Sequence, residues 1–144
     1  MKATDVMIGD IVSFNGTPIQ IVSINLYNGE DSMGGHYYVV STQQLVPGNL
    51  WTDVLEPIPL TKESLQLNGF KPLKMDAGYT NKVTGFDLIL HWCENYWVGM
   101  RQLRSNLWKI HIQGDSANMD GGVGYVHELQ HALKLCGIEK EIVL

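Results

Sequence analysis

Apolar and polar positions alternate from the start of the chain: Ile8-Gly9-Asp10-Ile11-Val12-Ser13-Phe14, then Asn15-Gly16, then Pro18-Ile19-Gln20-Ile21-Val22-Ser23-Ile24. Two runs of period two joined at Asn-Gly predict a β-hairpin, with Thr17-Pro18 lengthening its turn beyond the two-residue type. Ile19, Ile21 and Ser23 fall on one face and Gln20, Val22 and Ile24 on the other. Both faces are therefore expected to be partly covered, which suits a small SH3-like β-barrel better than a one-sided sheet. After a glycine-rich polar loop over 28–35, the aromatic and β-branched run His36-Tyr37-Tyr38-Val39-Val40 predicts a third strand. The stretch Trp51 to Leu60 carries Pro57 and Pro59, so it can be only an edge strand or an extended connector. The junction between two subdomains is placed there, giving 1–57 and 58–144.

The pattern then changes. Thr61 can cap a short helix over Lys62-Glu63-Ser64-Leu65-Gln66-Leu67 that ends near Asn68, with Glu63 complementing its dipole and Gly69 taking the left-handed closing position. Phe70 to Leu73, Phe86 to Trp92, Tyr96 to Met100 and Leu107 to Ile112 read as strands of an antiparallel meander, with turns at Glu94-Asn95 and Arg104-Ser105-Asn106. Asp115 to Gly122 reads as a loop, because Ala117 and Met119 interrupt the alternating oxygen donors that a calcium loop requires. A last helix is expected from Val126 to Leu135, and Glu141-Ile142-Val143-Leu144 returns as a short strand. The fold class is α+β: a small barrel or sheet, then a β-meander with two short helices.

Composition narrows the functional classes. Charged residues are 17% and apolar residues 44% of 144 positions, a folded and turn-rich profile. The formal charge is −5, and the ten basic residues are scattered rather than gathered into a strip that could track phosphates, which disfavours nucleic acid. No run of apolar residues reads as a leader or a spanning helix, so the expected location is cytoplasmic with no membrane contact. Cys93 and Cys136 are far apart, and each is expected to serve as a small apolar residue rather than in a disulfide or as a nucleophile.

One motif carries chemistry. His127-Glu128-Leu129-Gln130-His131 has the H-E-x-x-H spacing that sets two imidazoles one helical turn apart, with the glutamate as base for a metal-bound water. Against a zinc hydrolase, Val126, Leu129, Leu133 and Cys136 form one stripe at 100° per residue while His127 and His131 point away from it, toward water. A third ligand would have to come from His91, His111, Asp120, Glu139 or Glu141, and no spacing selects one of them. Zinc held by His127 and His131, with Glu128 as base, is therefore the alternative rather than the leading expectation. Trp92, Tyr96, Trp97 and Trp108 are expected mainly in the core. Tyr96 and Trp97, being adjacent, must face opposite ways in a strand, so one of them is a candidate for contact with a protein or a sugar.

Three segments carry a resemblance: Ile8-Gly9-Asp10-Ile11-Val12; Glu56-Pro57-Ile58-Pro59-Leu60-Thr61 leading to Leu65-x-x-Asn68-Gly69-Phe70; and Tyr125 to Leu133 running on to Gly137-Ile138-Glu139. Together they resemble a family of small uncharacterised proteins from gut Bacteroidales and their mobile elements, including prophages, over nearly the whole chain. The last helix of that family commonly reads His-x-Leu-Gln-Asn, then an aromatic residue and a Leu-Thr-Gly ending. The resemblance thus implies that His131 is not a shared metal ligand, and it implies no activity. The expected role is a non-enzymatic binding or accessory module with a protein partner and no cofactor.

Overall fold

The computed structural model describes residues 1–27, 36–41, 50–74, 83–89, 97–105, 107–114 and 118–144, and the chain divides into two units, Met1–Ile58 and Pro59–Leu144. Among the described residues the protein is α+β, with two antiparallel sheets and two α-helices. The predicted loop over 28–35, the turn at Glu94-Asn95, and Trp92, Cys93 and Tyr96 lie outside the described residues.

In the first unit, β1 (Ile11–Phe14), β2 (Thr17–Tyr27), β3 (His36–Ser41) and β4 (Leu50–Trp51) form a four-stranded sheet in sequence order. The first hairpin is tighter than its sequence suggests. Phe14 pairs with Thr17, so the loop is Asn15-Gly16 alone, and both residues have positive φ, 49° and 77°. This is the geometry of a primed turn, whose twist matches the flanking strands. Pro18 does not lengthen the turn because it pairs with Ser13, and Ser13 directs its backbone groups the other way, bonding Glu56 through both N–H and C=O. No ladder donor is asked of the proline at that position.

The face assignment along β2 is corrected by a bulge between Ile21 and Ser23. Ile19 and Ile21 are buried, Val22 is exposed, and beyond the irregularity Ile24 packs against the core cluster of Val6, Val12, Ile19, Ile21, Val39, Leu50 and Leu55. One extra residue inverts the alternation, as a bulge does. Before β1, the buried Asp10 closes a turn, its Oδ2 accepting from Met7 N at 2.6 Å. Gly9, at φ 96°, and Asp10 then bond the backbone of Ile21. Asp10 is thus explained by the turn it holds. The Met1 amine donates to Thr52 O and Leu55 O, both at 2.9 Å.

In the second unit, α1 (Lys62–Leu67) begins at Thr61, where Thr61 Oγ1 accepts from Ser64 N and Ser64 Oγ accepts from Thr61 N. This reciprocal capping box satisfies two amides that the first turn leaves over. Gly69 follows the helix with φ 84°. The strands β5 (Lys71–Lys74), β6 (Val83–Ile89), β7 (Trp97–Arg104), β8 (Leu107–Gln113) and β9 (Asn118–Val123) form an antiparallel meander in sequence order, followed by α2 (Val126–Leu135).

Two sequence expectations fail here. Residues 118–123, read as part of a loop, pair in register with β8 from Trp108↔Val123 to Gln113↔Asn118. Residues 141–144 form no strand, and Asn68 takes the place of one: its Nδ2 donates to Val143 O and its Oδ1 accepts from Val143 N, each at 2.8 Å. A side-chain amide offers the same donor and acceptor as a peptide group, so it can pair with the backbone without a neighbouring strand. Asn68 is accordingly buried.

Val98, Met100, Trp108, Ile110 and Ile112 are buried on one face of the sheet. With Leu60, Leu65 and Phe70, and with Val126, Leu129, Leu133, Cys136, Ile138 and Ile142, they make the core of this unit. Trp108 is also a clamp. Its Nε1 donates to Leu60 O at 3.0 Å in a buried bond, and Leu60 N donates to Gly124 O at 2.9 Å. Pro59 bridges Tyr125 alongside. The segment entering α1 is thereby fastened to the segment entering α2. Trp108→Phe is expected to keep the packing but strand a buried carbonyl, costing about 1–3 kcal/mol in urea unfolding; an unchanged midpoint would show that the bond contributes nothing.

Candidate functional site

Two sets of side chains could carry chemistry: the histidines of α2, and the face of the five-stranded sheet opposite its core.

The helix follows its stripe except in its first turn. Val126, Leu129, Ala132 and Leu133 are buried, but so is His127, at 4% exposure, while His131 is half-buried. The expectation that both imidazoles face water is therefore wrong for His127 and only partly right for His131. The stripe calculation treats the helix as an isolated cylinder. Its first turn lies against the chain that leads into it: the Tyr125 ring stacks on His127 at a centroid distance of 5.9 Å and 16° between planes. The His131 ring then meets His127 edge-on at 5.7 Å.

Glu128 turns back toward the helix start. Its Oε2 accepts from Gly124 N at 2.6 Å and from Tyr125 N at 3.2 Å. These are amides left without helical partners, and a carboxylate there also meets the positive end of the helix dipole. The glutamate of the H-E-x-x-H pattern is thus engaged as a cap, not held over a metal-bound water. Nor do three donors gather: among the described residues no group of three or more His, Cys, Asp or Glu is placed to hold a metal ion. Glu139 and Glu141 are exposed side chains, and His91 lies outside the described residues. His111 and Asp120, each considered as a third ligand, are bonded to one another instead. Cys136 is a buried free thiol whose pKa burial pushes up, the opposite of what a nucleophile needs.

The outer sheet face is where unexpected residues converge. Antiparallel register pairs Gly99 with His111 and His111 with Asp120 across β7, β8 and β9. His111 Nδ1 lies 2.8 Å from Asp120 Oδ1, and Lys109 Nζ lies 3.7 Å from the same oxygen. The hydrogen bond from His111, and then the charges of Lys109 and His111, hold the Asp120 carboxyl below its ordinary pKa although burial opposes this. An ionised carboxylate can only accept, so His111 Nδ1 is the donor in this pair.

Trp97, at the start of β7, is half-buried and leans over this group, its ring centroid 5.5 Å from that of His111. The glycine two residues on makes this possible: a Cβ at Gly99 would lie 2.8 Å from Trp97 Cζ2, inside the benzo ring's contact distance. No protein-family model, curated protein or solved structure matches the chain. The site has to be judged on its own geometry.

Of the residues singled out in the sequence, the structure brings together His127 and His131, diverts Glu128 to a cap, and puts Trp97 on the outer face of the sheet; Trp108 is in the core. Sequence reasoning missed the pairing of His111 with Asp120 because β9 was not recognised. The signal was present in Met119, Gly121 and Val123 alternating with Asn118, Asp120 and Gly122, a weak period of two diluted by glycine.

Two outcomes are expected. Glu128→Ala removes the acceptor for two amides and should lower unfolding stability by about 0.5–2 kcal/mol in urea titration; no change would show the cap to be idle. Because the Asp120 pKa is lowered on folding, its contribution is present above the ordinary carboxylate range and is lost as pH falls through the folded value. Unfolding free energy should therefore decline on acidification below about pH 4, with a shallower decline in Asp120→Asn. Equal slopes would remove Asp120 from the account.

Proposed function

We propose that the chain is a non-enzymatic binding or accessory module that engages its partner through the outer face of the five-stranded sheet. Trp97 carries this reading: a large ring, partly open to solvent, laid over Gly99 and beside His111 on that face. Partly exposed aromatic residues on a rigid scaffold are the usual anchors of recognition, since they offer much contact area for little loss of rotamer freedom. The second partner candidate, Tyr96, is its sequence neighbour.

The resemblance in Ile8 to Val12, Glu56 to Phe70 and Tyr125 to Glu139 supports a module carried by mobile elements of gut Bacteroidales. The paired hairpin with its bulge, and the bridge of Ser13 to Glu56, support reading the first unit as an SH3-like open barrel. A cytoplasmic setting fits both, and no helix among the described residues is long and apolar enough to cross a membrane. Nucleic acid is not the proposed partner, given the net charge of −5.

A second reading, a zinc-dependent hydrolase on His127, His131 and Glu128, rests on the 5.7 Å approach of the two rings. It would require Glu128 to leave its two amides.

One experiment separates them. The wild-type chain and Trp97→Ala are used as bait in extract of the native host, and the same preparations, made without added zinc or a histidine tag, are assayed for metal. The binding reading predicts a stoichiometric species captured by wild type only, with metal well below one equivalent. About one equivalent of zinc that disappears in His127→Ala and His131→Ala would overturn it in favour of the hydrolase.

A further inference from the structure

Beyond the sheet face, we propose that Asn68 and the buried seat of Ile142 form a second recognition site, a receptor for an extended peptide segment of a protein partner, which residues 139–144 occupy as a releasable strap. The segment it takes is an aliphatic residue followed by any residue except proline.

Asn68 supplies the first argument. It ends α1, and the helix itself orients its side-chain amide, because Nδ2 donates to Ser64 O at 2.7 Å. The remaining N–H and Oδ1 both engage one residue: Nδ2 donates to Val143 O and Oδ1 accepts from Val143 N, each at 2.8 Å. A residue shows its N–H and C=O to the same side when it is extended, so the amide reads backbone and not side chain. Val143 is accordingly 54% exposed. Only proline is refused at that position, since it has no N–H to give.

The strap is weakly held, which is the second argument. Ile138 still belongs to the end of α2: its N–H donates to Leu133 O at 2.9 Å, beside Gly137, whose φ of 73° closes the helix. From Glu139 onward there is no helix or strand, and among the described residues the backbone of 139–144 bonds to Asn68 alone. Ile142 is buried, whereas Glu139, Glu141, Val143 and Leu144 are exposed and Lys140 is half-buried. Ordering each of these residues costs entropy, and one isoleucine with two hydrogen bonds must offset it all. The segment can therefore open while the unit stays folded.

The strap also identifies what replaces it. With residues 139–144 lifted away, the site presents an apolar seat and, beside it, a donor and an acceptor fixed in line with one peptide unit. A partner segment with an aliphatic side chain where Ile142 sits, continuing past the Asn68 amide, recovers the same contacts. Because the strap is tethered, it competes at a high effective concentration, so a segment that displaces it needs contacts beyond these. A larger protein carries such contacts, and a lone small molecule does not.

Hydrogen exchange of the unaltered full chain tests the release. Once intrinsic rates are allowed for, the Val143 amide is expected to exchange about tenfold or more faster than the Leu129 amide of α2, which donates to Tyr125 O. Equal protection would make the strap part of the core and overturn the proposal. A labelled peptide of residues 139–144 tests the receptor, titrated into wild type and into two full-chain variants. Val143→Pro removes the N–H that Asn68 accepts at an exposed position, which spares the packing, and Ile142→Lys expels the buried side chain. Binding about tenfold or more tighter to the variants than to wild type is expected, and a similar loss when the peptide is N-methylated at Val143, a change that leaves the protein untouched. No binding to Val143→Pro, or equal binding of the methylated peptide, overturns the proposal. Self-association of wild type that the peptide dissolves would give the seat to the strap of a second copy and overturn the assignment to a foreign partner.

Discussion

The buried bond from Trp108 Nε1 to Leu60 O is the constraint on which the second unit depends. It solves two problems with one side chain. A tryptophan at 1% exposure must find an acceptor for its N–H or forfeit a desolvation penalty, and Leu60, lying between the prolyl segment and α1, has a carbonyl equally in need of a donor. Leu60 N then bonds Gly124 O, and the chain at the entrance to one helix is held to the chain at the entrance to the other. Thr61 and Tyr125, the residues that begin α1 and α2, follow these two anchors directly. The caps are therefore positioned by the sheet, through β8.

Legibility differed between elements for physical reasons. Helix α2 could be read to its ends because the apolar stripe of Val126, Leu129, Leu133 and Cys136 is a strong local signal. The hairpin of β1 and β2 was legible in existence but not in detail. Pro18 looked like a reason to lengthen the turn until Ser13 was seen to bond outward to Glu56, a partner more than forty residues away that no local pattern announces. The β2 bulge is similar: the alternation Ile19 to Ile24 is regular, and only its pairing with Ser41 and Val40 shows where it slips. Strand β9 was missed because glycine at 121 and 122 carries little β signal, and the returning tail was assigned a strand because nothing local shows that Asn68 would serve in its place.

The candidate chemistry was legible as letters and misleading as geometry. H-E-x-x-H is a pattern of spacings, and spacings say where side chains emerge, not what they then touch. Glutamate at the third helical position has a competing use as acceptor for the free amides, and here that use prevails. Histidine at the second helical position was assigned to water by its angle, whereas a tyrosine two residues earlier covers it. The group on the sheet face shows the reverse case. His111 and Asp120 are nine residues apart and uninformative in sequence, and register alone makes them a pair.

Asn68 has a consequence for the ageing of the molecule. It precedes Gly69, and an asparagine followed by glycine is the linkage most given to cyclising through attack of the next amide nitrogen on the side-chain carbonyl. Here the attacking N–H is tied to Gln66 O, while the side-chain amide is held from both ends by Ser64 and Val143. The bonds that dock the tail also occupy the reacting side chain, so spontaneous deamidation at this linkage is coupled to release of the last residues. Should it occur, the amide that imitates a peptide group becomes a carboxylate facing the Val143 carbonyl, and the tail could not return.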